Sequence, residues 1–269
     1  MSGRVSRRVF AIRYAHREAV RSEHFYGPAP PDPHDAPMPM DYYLWAITGD
    51  DGPIVVDVGF RPETAHRRGR EVVADPIALL GRIGVEAAEV ADVVLTHLHY
   101  DHSGYLAAFP GARFWVQDAE LAFWTGRYAG RGAIGHTVEP PDILELVRLN
   151  FERRVRFVDG DEEMAPGITL HRVGGHAPGL QVVRVDGPDG PLVLASDATH
   201  FYANLGEDRP FSIVHSLPGM YAAFDRVRAL AGGDDDRIVP GHDPLVLARH
   251  PAAGPGLEGL AAEVTPGTR

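Results

Sequence analysis

The segment His97-Leu98-His99-Tyr100-Asp101-His102 puts three imidazoles and a carboxylate into six consecutive residues. In an extended or turning segment alternate side chains face one side, so His97, His99 and Asp101 can converge. His102 can join them from the following turn, where Ser103-Gly104 can open a helix. Imidazole and carboxylate are the donors that divalent zinc, iron and manganese accept. The chain has no cysteine, so a metal must be held by nitrogen and oxygen. Three further donors occupy equivalent places. His176 lies in Gly174-Gly175-His176-Ala177-Pro178-Gly179 after the strand-like run 168–173; Asp197 follows the run 192–195; His242 follows 237–239. Side chains at strand ends can meet on one rim of a sheet. Seven donors suffice for two metal ions if one carboxylate is shared.

The elements that must position these residues read mainly as strands broken by turn residues. Residues 42–48 and 54–58 flank Gly49-Asp50-Asp51-Gly52 as a hairpin, and 93–96 is a short buried strand running into the histidine cluster. Runs 113–117, 168–173, 181–185, 192–195 and 237–239 complete the strands. Helical periodicity marks 69–83, 118–128, 142–151 and 220–231. Strands in runs with helices interspersed predict sheets covered by helices, not a simple alternating βαβ chain. Six prolines within 27–39 predict an extended arm, and the stretch from about 251 to 269 reads as a mobile tail. Residues 1–269 read as one domain.

Composition excludes several classes of partner. With 26 basic and 37 acidic residues the formal charge is −11, which repels phosphate backbones and anionic lipid. No run of 18 apolar residues predicts a membrane span. Ser6-Arg7-Arg8-Val9-Phe10 superficially looks like a twin-arginine export signal, but charged residues follow where an apolar stretch is needed, so the expected location is the cytoplasm. A small-molecule substrate is the expected partner, with a homodimer left open.

The order His97-x-His99-x-Asp101-His102, His176, Asp197, His242 resembles the metallo-β-lactamase superfamily, over roughly residues 42–247. The resemblance implies an α/β fold, an αββα sandwich of two mixed sheets with a dinuclear site at the sheet rim. It implies His97, His99 and His176 as ligands of one metal ion, Asp101, His102 and His242 as ligands of the other, and Asp197 as the bridge. Within the superfamily the chain is most similar to the N-acyl homoserine lactonases and related lactonases. Those enzymes commonly carry a substrate-contacting tyrosine three residues after the bridging aspartate. Here His200 stands at that position, with Tyr202 two further on.

The reaction implied is hydrolysis of a lactone or similar cyclic ester at two divalent ions, zinc first, with iron, manganese or cobalt also suited to such donors. Paired ions lower the pKa of water toward neutrality. Asp101 is then the expected proton carrier, and His200 or Tyr202 the expected donor to the developing oxyanion. Phe25, Tyr26, Met38 and Met40 beside the proline arm, with His200, Phe201 and Tyr202, are the expected substrate contacts. The second aromatic group, Phe114, Trp115, Phe123, Trp124 and Tyr128, reads as core or dimer face, and His215 as a structural hydrogen-bond partner. Alternatives on the same site are another small ester, a thioester or a cyclic amide. A mono-iron sulfur dioxygenase and an inactive metal-binding member are the more remote readings.

Overall fold

Alternation along the strands decides the architecture of this computed structural model, which describes residues 7–28 and 35–265. In chain order the strands are β1 (Arg8–Arg17), β2 (Met40–Thr48), β3 (Ile54–Val56), β4 (Glu71–Val72), β5 (Asp92–Val94), β6 (Arg113–Gln117), β7 (Val155–Val158), β8 (Asp161–Ala165), β9 (Ile168–Arg172), β10 (Gln181–Gly187), β11 (Gly190–Ser196), β12 (Ile238–Pro240) and β13 (Ala261–Glu263). One sheet runs β13-β1-β2-β3-β5-β6-β7, with β4 also on β1; the other runs β12-β11-β10-β9-β8. Both are mixed: β3, β5, β6 and β7 are parallel neighbours, as are β11 and β12, and the remaining pairs are antiparallel.

Period two sorts the side chains into layers. Val9, Ala11, Trp45, Val56 and Val94 face Leu170, Val183, Val185 and Leu194 across the gap between the sheets. Their neighbours Phe10, Ile12, Leu44, Val55 and Val93 point outward onto Leu79, Leu80, Ile143 and Leu146. Those four come from α2 (Pro76–Arg82) and α5 (Pro140–Phe151), numbered in a series with α1 (Pro62–Arg68), α3 (Asp118–Trp124) and α4 (Gly132–Gly135). On the far side of the second sheet, Val182, Val193 and Ala195 receive Met220, Ala223, Phe224 and Val227. That helix is α7 (Leu217–Leu230), flanked by α6 (Tyr202–Gly206) and α8 (Leu245–Arg249). The order is helix, sheet, sheet, helix, the αββα sandwich expected.

The differences from expectation have local causes. The periodic run 69–83 does not form one helix: Gly69 ends α1 in the left-handed conformation (φ 62°), 71–72 pairs with β1, and α2 starts at Pro76 behind an Asp75 cap. Four strands did not read as strands: β1 and β8 carry several charges, and β7 and β13 are short, four and three residues, with one charge each. In β1 those charges are paired at the rim, Arg8 with Glu263 at 2.7 Å and Arg13 with Asp41 at 2.9 Å, while its apolar residues are buried on both faces. Arg7, read within an export-like motif, is itself buried and ion-paired to Asp51.

The segment after Pro251 is packed as far as Thr265: Ala261 and Ala262 pair with β1, and Leu257 and Val264 are buried. The flanks of the proline arm fold back on each other, since Arg21 N–H donates to Ala36 O and Met38 N–H to Ala19 O. The middle of the expected arm, 29–34, lies outside the described residues, as do 1–6 and 266–269.

Candidate metal centre

The seven donors converge at one edge of the sandwich. His97 to His102 occupy the loop after β5, His176 the loop after β9, Asp197 the turn after β11 and His242 the residue pair after β12. All are buried, none more than 6% exposed. His97, His99, His176 and Asp197 bring ligand atoms within 4.8 Å of one another, and so do Asp101, His102 and His242. Asp197 stands between the groups. Its Oδ2 faces His176 Nε2 at 3.2 Å and His97 Nε2 at 3.7 Å, and its Oδ1 faces His242 Nε2 at 3.1 Å and His102 Nε2 at 3.4 Å. Asp101 lies 3.7 Å from both His102 Nε2 and His242 Nε2.

Four of the five rings are aimed by their other nitrogen. Nδ1 donates to Asp57 Oδ2 from His102 (2.7 Å), to Ile213 O from His176 (2.9 Å) and to Asp41 O from His242 (2.8 Å). Nδ1 of His97 reaches Thr96 Oγ1 at 3.1 Å, and that hydroxyl itself donates to Asp57. Such partners fix the tautomer so that Nε2 offers a lone pair. His97 Nε2 and His102 Nε2 are buried without a hydrogen-bond partner, a costly state in a dry interior unless a cation takes the lone pairs. The donor set therefore fits two divalent ions.

The backbone is strained where it holds these groups. Asp57 (φ 60°) and Ser196 (φ 45°) are non-glycine residues in the left-handed region. They meet beneath the site, since Thr96 bonds both, Asp57 at 2.8 Å and Ser196 Oγ at 2.9 Å. Gly241 is small for a reason: a Cβ there would sit 2.8 Å from Asp197 Oδ1.

The electrostatics divide the imidazoles: against burial, the carboxylates of Asp57, Asp197 and Asp101 raise His102, and those of Asp197 and Asp101 raise His242. Burial and neighbouring imidazoles push His97 and His99 well below the ordinary histidine value, keeping them neutral. Burial would lift Asp197, but the imidazoles of His200, His242, His102 and His176 hold it well below the carboxylate range.

The family model for the metallo-beta-lactamase superfamily matches residues 39–242, from the start of β2 to the last of the seven donors. The chain belongs to that superfamily. N-acyl homoserine lactonase AttM of Azorhizobium caulinodans is 31% identical over 228 residues, 78% of this chain and 84% of the relative. An N-acyl homoserine lactonase from a Bacillus species is 26% identical over 76% of this chain and 82% of its own. The solved structure of a quorum-quenching N-acyl homoserine lactone lactonase superimposes with a TM-score of 0.73, covering 90% of this chain and 94% of that one at 21% identity. AidC, a dizinc quorum-quenching lactonase, does so at 0.69, with 17% identity and coverage of 89% and 88%. This superfamily member is a metal-dependent hydrolase with a site for two divalent ions.

The other expected site residues separate. His200 is in the centre, its Nε2 2.9 Å from Asp197 Oδ2. Tyr202 is turned away: the chain is extended at Phe201 and helical from Tyr202, which packs against Arg249 at 3.8 Å and lines a cavity of about 270 Å³ with Asp236, Arg249 and His250. Phe25 is buried between the guanidinium groups of Arg21 (4.4 Å) and Arg209 (4.7 Å), and Tyr26 is exposed. Met38, Met40 and Phe201 join one apolar cluster with Tyr42, Phe60, Tyr100 and Phe211. Phe114 and Trp115 are core, Tyr128 is exposed, and Trp124 instead reaches His99 edge-on at 5.8 Å. His215 hydrogen-bonds through its backbone N–H to Gly175 O, one residue before His176, and its ring meets Phe123.

Three supporting residues escaped the sequence reading. Asp57 was hidden at the end of an apolar run. Glu120, fully buried, accepts from Leu98 N–H (3.0 Å), Gly179 N–H (2.7 Å) and Trp124 Nε1 (2.7 Å), tying two ligand loops together. His24 is buried between Phe201 and Phe211 and donates to Met38 O at 2.8 Å. A lone carboxylate in the apolar helix Ala119-Glu120-Leu121-Ala122-Phe123-Trp124 was the one legible hint.

Proposed function

We propose that this hydrolase opens the ring of a lactone, with N-acyl homoserine lactones as the substrate class and zinc as the metal. The observation that carries the reading is the complete seven-donor centre with Asp197 between its halves, in a chain that aligns along most of AttM. Two bound divalent ions supply a nucleophile at neutral pH by acidifying water and polarise the carbonyl oxygen. His97, His99 and His176 would hold one ion, Asp101, His102 and His242 the other, with Asp197 shared.

The chain's own residues do the rest. Asp101, fixed through its backbone carbonyl by Tyr14 OH at 2.9 Å, takes up the proton released in the attack and returns it to the leaving alkoxide. The apolar cluster of Met38, Tyr42, Tyr100, Phe201 and Phe211 excludes water beside the centre and offers a surface for an acyl chain. Phe25 and Tyr202, committed to their arginine partners, are outside this proposed contact set. Among the described residues no helix is long and apolar enough to cross a membrane, and Arg7 and Arg8 belong to the folded body.

The test is turnover by zinc-loaded protein on a panel of acyl homoserine lactones, other lactones, lactams and thioesters. Lactone opening ahead of the other classes is expected. Turnover confined to lactams or thioesters would overturn the lactone assignment.

A further inference from the structure

His200 sits inside the metal centre, where three roles compete: metal ligand, donor to substrate, or donor to Asp197. With Asp197 and His242 it forms a third group of donor atoms within 4.8 Å, so proximity alone does not decide. The far nitrogen of the ring does. A metal-bound imidazole passes its remaining N–H to a carboxylate, carbonyl or hydroxyl, which fixes the tautomer. Of the five candidate histidine ligands, His97, His102, His176 and His242 have that acceptor in Thr96, Asp57, Ile213 and Asp41, and the fifth, His99, has neither ring nitrogen buried without a partner. His200 Nδ1 is buried with no hydrogen-bond partner.

The asymmetry between donors and acceptors then selects the tautomer. If Nε2 ligated a metal, Nδ1 would carry the proton and leave a buried N–H without an acceptor, a rare and costly state. If Nε2 carries the proton, what is left unpaired at Nδ1 is a lone pair, a lesser cost than an orphaned N–H, and the Nε2 N–H meets Asp197 Oδ2 at 2.9 Å. A proton given to Asp197 is not available to the substrate. The ring cannot readily turn to another partner, because Phe211 stacks on it at 3.5 Å with an 8° interplanar angle. On its backbone side the His200 carbonyl accepts from His242 N–H at 2.9 Å.

We propose that His200 is a positioning residue, neutral and protonated at Nε2, that clamps the shared carboxylate of Asp197. It stands where the resemblance puts a substrate-facing tyrosine, so this chain gives up that donor and secures the bridging group instead. The inference rests on the metal centre and not on the lactone reading, and its test uses no substrate.

Zinc content and zinc affinity, the latter by chelator competition, are compared for the wild type, His200→Phe and His200→Gln. Phenylalanine keeps the stack on Phe211 and removes the N–H; glutamine restores an N–H at the Nε2 position. The expected result is two ions in every protein, with affinity lowered on the order of ten- to a hundredfold in His200→Phe and largely restored in His200→Gln. Loss of one ion in His200→Phe would make His200 a ligand and overturn the proposal. Unchanged affinity in His200→Phe would overturn it too. Should the variant not fold, ring ¹⁵N–¹H NMR of the zinc-loaded wild type decides: a proton on Nε2 supports the clamp, a proton on Nδ1 refutes it.

Discussion

Glu120 offers the sharpest test of how the centre is held. Its Oε1 accepts from Leu98 N–H at 3.0 Å and Trp124 Nε1 at 2.7 Å, and its Oε2 accepts from Gly179 N–H at 2.7 Å. Leu98 lies between two of the proposed ligands, and Gly179 is three residues beyond another. Glu120→Gln keeps one oxygen, which can stay with the two donors on the Oε1 side. The new amide NH₂ then faces the Gly179 N–H, donor against donor. One charge-assisted bond is lost, worth about 1.5–3 kcal/mol, and a buried N–H is left unpaired. Burial pushes the Glu120 carboxyl above the usual range, a sign that its charge is costly there, so the neutral amide recovers part of that loss. The net expectation is a destabilisation of about 2 kcal/mol, or roughly 4–8 °C in Tm for a domain of this size. Glu120→Ala leaves all three donors unpaired and should cost about twice as much. Because the Gly179 loop carries His176, zinc affinity should fall as well, on the order of tenfold or more. Thermal unfolding in excess zinc, with chelator competition at 25 °C, measures both. A Glu120→Gln protein within about 0.5 kcal/mol of wild type and with unchanged zinc affinity would refute the claim that Glu120 joins the two ligand loops.

The same geometry sets four other outcomes. Asp101→Asn should retain most of its zinc and lose on the order of a hundredfold or more in turnover; undiminished turnover removes Asp101 from proton transfer. In Gly241→Ala the added methyl meets Asp197 Oδ1 at 2.8 Å and the Ser196 carbonyl carbon at the same distance, so purified protein should carry less than its full metal complement. His24 is lowered to about 4 by burial, against about 6.5 for an unfolded histidine, so the unfolded chain binds the extra proton between those values. Stability due to neutral His24 is therefore fully present above about pH 6.5 and lost as pH falls toward 4. Urea midpoints at pH 7 and pH 4.5 should show His24→Phe losing about 2 kcal/mol less than wild type over that interval; parallel losses would sink the assignment. Removing metal with a chelator should lower stability by about 4 kcal/mol relative to protein in zinc at a thousand times its Kd, read as a Tm that depends on zinc concentration.

How legible each part of the molecule is in the sequence depends on how local its causes are. Strands with both faces buried and no charge, such as 192–195, declare themselves by composition. β1 does not, because Arg8, Arg13 and His16 make it look solvated until Glu263 and Asp41, far away in sequence, are seen to neutralise them. β13 is three residues long and is a strand only because β1 is there to pair with it. The break within 69–83 was readable, since Pro76 disfavours helix in the residue before it and Asp75 caps the helix that begins there.

The centre divides along the same line. A metal centre would demand particular side chains, so the candidate donors His97, His99, Asp101, His102, His176, Asp197 and His242 stand out by type and spacing, and the fold gathers them at one rim. Aiming those side chains demands only an acceptor in the right place, and a backbone carbonyl serves as well as a carboxylate: Ile213 and Asp41 act through their carbonyls, and no residue type betrays that. Asp57 and Glu120 act through side chains, yet each stands alone among apolar neighbours, and a lone acid has no spacing to recognise. His200 shows the limit most clearly. Its position pointed to the substrate, because the resemblance places a phenol there whose hydroxyl can turn outward. An imidazole carries its donor at the end of a rigid ring, and stacked on Phe211 that ring has one direction to point, toward Asp197. Replacing a tyrosine by a histidine at this place changes which group receives the proton, and the unpartnered Nδ1 together with the packing of Phe211 makes that visible.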